Sequence, residues 1–150
     1  VLNQSGEPKD TLRNIQDTGE FVANLITKPL VDSMNAASYA YDADVDEWTR
    51  ACCTPLESHS VKPARIKESM VQMECKLFET IVHGGGPSAA VYVIGEVLKV
   101  HVDAGLVDES GRVGSAFRPV ARLGGSDYLD LDSGKVFELG RPKAPSETSG

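Results

Sequence analysis

The sequence predicts a strand-rich α+β domain, because long runs of alternating apolar and polar residues are joined by short helical segments. The clearest run is 70–82, in which Val71, Met73, Cys75, Leu77 and Ile81 face one way and Gln72, Glu74, Lys76 and Thr80 face the other. A second run covers 89–102 and begins apolar on both faces at 91–94. The glycine-rich segment 84–87 between them predicts a β-hairpin, and strands of this length tend to curl into a barrel.

Two helices and a strand are predicted before the hairpin. A helix of roughly two turns starts at an N-cap on Asp10 or Thr11 and ends at Gly19, which suits the left-handed position after a helix. A strand follows over 21–26. Pro29 then fits the first turn of a second helix, which ends near 38–40.

Further elements are predicted from local patterns. The capping-box pattern Asp44-x-x-Glu47 starts a short helix that runs through Trp48 toward Cys52. A turn is predicted over 108–111, an irregular segment from Arg118 and a last short strand over 136–139.

Length and charge limit the classes of function. With 150 residues, we expect one domain over 1–141, and the Pro-, Ser- and Glu-rich segment 142–150 predicts a mobile tail. The net charge of −7 argues against nucleic acid as a partner. No apolar run is long enough for a membrane helix and no signal segment is visible, so the sequence predicts a cytoplasmic protein without membrane contact.

The cysteines and histidines do not form a recognisable metal pattern. Cys52, Cys53 and Cys75 are odd in number and lack C-x-x-C spacing, so we expect reduced thiols. The histidines His59, His83 and His101 are far apart, and we predict no metal site.

The segment around the first helix has the composition of a phosphate site. Backbone N–H groups at a helix N-terminus carry partial positive charge, Lys9 adds a full charge, and Ser5 and Thr11 offer hydroxyls. Arg13 lies one turn further along. A capped connector that binds no ligand is the alternative interpretation, since Ser, Thr and Asp begin most helices.

The segment KDTLRNIQDTGEFVANL, residues 9–25, resembles the flavin reductase-like family, the FMN-binding split barrels that include flavin reductases and flavoredoxins. Further fragments follow in the order of that family: MNAAS at 34–38, VDEW at 45–48, VKP and RI with ES over 61–69, GEV at 95–97, VDESGRV at 107–113 and RLGGSDY at 122–128. The resemblance covers Lys9 to about Pro142. It implies a split β-barrel with short inserted helices.

The resemblance also implies site residues. The Lys9-Asp10-Thr11 segment, with Ser5, would hold the FMN phosphate, and Asn35 and Ser38 would lie near the cofactor. A structural role at the end of a helix is the alternative for Asn35. The segment 122–128 would lie beside the flavin or at a subunit contact, and the alternative is a tight glycine turn. His83 would reach a neighbouring subunit's flavin, and the alternative is an exposed turn residue.

In this family NAD(P)H delivers hydride to the flavin, and members work as homodimers. The resemblance therefore implies an FMN-binding oxidoreductase with a nicotinamide nucleotide as co-substrate, and it leaves a flavoredoxin-like electron carrier and a non-catalytic assembly module open. Family members carry further barrel strands before the Lys-Asp-Thr block, whereas this chain begins at Val1-Leu2. We therefore expect an N-terminally incomplete domain, either a fragment or a barrel that lacks those strands.

Overall fold

The computed structural model of the chain describes residues 8–42, 45–86, 89–114 and 117–142. They form two compact units. Unit 1 consists of the described parts of Val1–Asn24, Leu56–Arg65 and Val71–His101, and unit 2 consists of Leu25–Pro55, Ile66–Met70 and Val102–Gly150. Ser5, Asp44 and all but the first residue of the predicted tail lie outside the described residues.

The first helix, α1, spans Asp10–Thr18 and buries Leu12 and Ile15 on one face. Gly19 ends it with φ +70° and donates its N–H to the carbonyl of Ile15, which confirms the predicted C-terminal glycine. The predicted N-cap, Asp10 or Thr11, was wrong by one or two residues. Lys9 is the N-cap because its carbonyl already accepts the N–H groups of Leu12 and Arg13.

Unit 1 contains a three-stranded sheet in the order β1-β4-β5. Strand β1 spans Glu20–Asn24 and pairs antiparallel with β4, Val71–His83, so that Val22 lies opposite Glu74. Strand β5 spans Ala90–Val102. The predicted hairpin of two long strands is therefore confirmed, and β1 ends two residues earlier than predicted.

Burial along the hairpin differs from the alternation expected. Gln72 and Glu74 were predicted on a polar face, yet both are buried, because groups remote in sequence supply their hydrogen bonds. Tyr92 and Ile94 were expected to be buried, yet 57% and 40% of their surfaces are exposed. Among the described strands β5 pairs with β4 alone, so it is an edge strand of this sheet.

Unit 2 begins with a 3-10 turn, Lys28–Leu30, that leads into α2, Val31–Ala37. Pro29 is in the first turn and Ser38 follows the last residue, as predicted. Helix α3 spans Glu47–Arg50, and the Asp46 carboxylate caps it by accepting the N–H of Trp48. The predicted cap at Asp44 is therefore replaced by Asp46, which stands directly before the helix.

A second three-stranded sheet completes unit 2. It has the order β6-β7-β8, with β6 at Val120–Gly124, β7 at Asp127–Asp130 and β8 at Lys135–Glu138. The last strand confirms the prediction, whereas the irregular segment expected after Arg118 contains two strands. Two short strands, β2 at Pro55–Leu56 and β3 at Arg65–Ile66, pair with each other and were not predicted.

Candidate functional site

The N-terminus of α1 presents the Lys9-Asp10-Thr11 segment in unit 1. Lys9 and Thr11 are exposed, and no side chain of the described residues caps the helix. A helix N-terminus has backbone N–H groups without intrahelical partners, and these are satisfied by side chains, water or a ligand. The uncapped amides and the adjacent lysine therefore fit a phosphate group, whose charge the helix dipole also favours.

The Asp10 side chain forms an ion pair within α1. Its carboxylate pairs with the guanidinium of Arg13, which also donates to the carbonyl of Pro8 at 2.6 Å. This pair neutralises a negative charge that would otherwise repel a phosphate. Asp10 can approach an anion only through its backbone N–H. Lys9, at the same end of α1, forms no ion pair with any of the described residues.

Asn35 and Ser38 lie at the end of α2, in unit 2. The Asn35 amide donates to the carbonyl of Gly140 at 3.0 Å, and the Ser38 hydroxyl donates to the carbonyl of Asn35 at 2.7 Å. Both side chains therefore donate hydrogen bonds to backbone carbonyls. For Asn35 this agrees with the structural role that was considered as the alternative. Their predicted place near a cofactor stays a prediction.

The remaining sequence candidates lie on turns and a strand end. Gly124 and Gly125 both have positive φ in the turn between β6 and β7, where a tight backbone path requires glycine. His83 is exposed at the last position of β4.

A buried polar cluster in unit 1 was not predicted from the sequence. Its centre is Glu74 of β4, whose side chain is 0% exposed. The carboxylate accepts the backbone N–H of His59 at 2.9 Å and that of Ser60 at 2.5 Å, both from the 57–64 loop between β2 and β3. His101 of β5 places its Nε2 at 2.5 Å from the same carboxylate.

Arg65 completes this cluster. It donates to the carbonyl of Glu57 at 2.8 Å and to the amide oxygen of Gln72 at 3.0 Å, and its Nε lies 3.8 Å from Glu74. A positive group and three donors therefore surround one buried carboxylate. This satisfies the rule that buried charges are paired and hydrogen-bonded.

The protonation state of Glu74 follows from these partners. Burial alone would raise its pKa, but the N–H groups of His59 and Ser60 and the imidazole of His101 outweigh burial and lower the pKa to about 2. Glu74 is therefore a carboxylate at neutral pH. The sequence signal was weak, since a glutamate at an alternating position usually faces solvent.

The cysteines are free thiols in the structure, with Cys52 exposed, Cys53 half-buried and Cys75 buried. Burial raises the pKa of the Cys75 thiol, which makes it a poor nucleophile. Over the residues described, the longest α-helix has nine residues, and none is long and apolar enough to cross a membrane.

Comparison with known proteins identifies the family. The sequence model of the flavin reductase-like domain matches residues 1–118. The uncharacterised protein BH2278 of Halalkalibacterium halodurans is 36% identical over 91% of this chain, which corresponds to 66% of its own length. The chain therefore spans slightly less than two thirds of that relative.

Solved structures show the same fold. Nitrilotriacetate monooxygenase component B from Bacillus cereus is 34% identical, with a TM-score of 0.79 over 93% of this chain and 69% of that one. A structure with a split-barrel domain from Shewanella frigidimarina has 24% identity and a TM-score of 0.66 over 90% of this chain and 65% of that one. The predicted split-barrel α+β fold is confirmed, and the chain belongs to the flavin reductase-like family.

Proposed function

We propose that this chain is the FMN-binding part of an oxidoreductase in which NAD(P)H reduces the flavin. The observation that carries the proposal is the N-terminus of α1, where Lys9 stands at a helix end that no described side chain caps, within a segment matched by the family model. A phosphate bound there would accept hydrogen bonds from the N–H groups of Asp10 and Thr11 and pair with the Lys9 ammonium.

Flavin, when bound, supplies the redox chemistry by accepting two electrons from a dihydronicotinamide. The chain's own part is to bind and orient the cofactor. Family membership supports a flavin as that cofactor, and the resemblance of the Lys9-Asp10-Thr11 segment to the FMN-binding split barrels supports FMN.

Exposed apolar residues of the hairpin support a homodimer as part of this proposal. Phe78, Val82 and Tyr92 are 73%, 65% and 57% exposed, and large side chains in such numbers are typical of an interface. Sedimentation or light scattering of the purified chain would measure its mass, and a monomer at all concentrations would contradict the homodimer.

Titration with FMN, followed by quenching of flavin fluorescence, tests the binding proposal. Lys9→Ala should weaken binding at least about tenfold, as expected for loss of a charge-assisted contact. The matched control is Lys76→Ala, which removes an exposed lysine from β4 and should leave the affinity unchanged. Equal affinities of the parent and the Lys9→Ala variant would contradict the phosphate site.

A second step tests the electron source. Anaerobic mixing of the FMN-loaded chain with NADH and with NADPH should bleach the flavin absorbance. Bleaching by dithionite but by neither nicotinamide would identify an electron carrier that takes electrons from a protein. A chain that binds no FMN would favour the non-catalytic assembly module.

A further inference from the structure

We draw no further inference here: the strongest candidate, the patch of exposed apolar side chains on the β4–β5 hairpin, carries none beyond the homodimer already proposed, because nothing in the structure shows what covers it.

Discussion

Gly95 of β5 lies against the aromatic ring of Phe21 in β1 so closely that an added Cβ would stand 2.4 Å from Cζ and 2.8 Å from Cε1. The same Cβ would be 3.3 Å from Cβ of Cys75. The absence of a side chain at position 95 therefore allows residues from β1, β4 and β5 to meet in the interior of unit 1. Glycine is required here for space and not for its backbone conformation.

Gly95→Ala should destabilise the fold. The ring of Phe21 must shift to admit the methyl group, and overpacking of this kind costs about 1–3 kcal/mol. Chemical denaturation measures the change. Gly85→Ala is the control, because a Cβ at Gly85 meets no atom within 4 Å and should change stability little. Equal loss in the two variants would show that the Phe21 contact is not the cause.

Because of Glu74, the free energy of unfolding of the chain should decrease as the pH falls into the acid range. Its pKa is about 2 in the folded state and near 4.3 in an unfolded chain, so its contribution is fully present above about pH 4.3 and is lost as the pH falls toward 2. The difference between these two pKa values corresponds to about 3 kcal/mol in the free energy of unfolding. Glu74→Gln should flatten this part of the stability curve.

Denaturation midpoints measured between pH 2 and 7 test that dependence. Glu79→Gln removes the same charge from an exposed position on the same strand and serves as the control. A Glu74→Gln variant that loses stability in acid as steeply as the parent would contradict the assignment of this dependence to Glu74.

Arg65→Lys should destabilise unit 1 although it keeps the charge. The guanidinium reaches the carbonyl of Glu57 with two nitrogens and the side chain of Gln72 with a third, which one ammonium cannot reproduce. We expect a loss of about 1–3 kcal/mol, since lysine cannot replace all of these hydrogen bonds. Lys67→Arg, an exposed change of the same kind two residues away, should be neutral in the same unfolding assay.

Asn35→Ala should loosen the chain near Gly140, because the Asn35 side chain donates the hydrogen bond at 3.0 Å that holds this carbonyl. Hydrogen exchange of the amides around 139–142 should become faster while α1 keeps its protection. FMN titration of the same variant separates the two roles considered for Asn35. Unchanged exchange together with weaker FMN binding would assign Asn35 to the cofactor instead of the C-terminal segment.

Local signals predicted the elements that depend on neighbours in sequence. Gly19 ends α1 in the left-handed conformation because only glycine adopts it without strain, and Pro29 marks the first turn before α2. The alternation over 70–82 and the glycines after it predicted the long hairpin. The phosphate site at the Lys9-Asp10-Thr11 segment was predicted from adjacent residues as well, and it stays a prediction.

Tertiary structure alone decided which polar residues are buried. Alternation assigned Glu74 to a solvent face, but its partners are 14, 15 and 27 residues away in sequence, and no local pattern records them. Tertiary structure also decided strands β6 and β7. The sequence predicted an irregular segment from Arg118, but these two short strands pair antiparallel with each other. The sequence by itself determined the helices, the hairpin and the family, because these follow from adjacent residues. The buried carboxylate and its two histidines depended on the tertiary structure, because a charge is stable inside a protein only where remote donors converge on it.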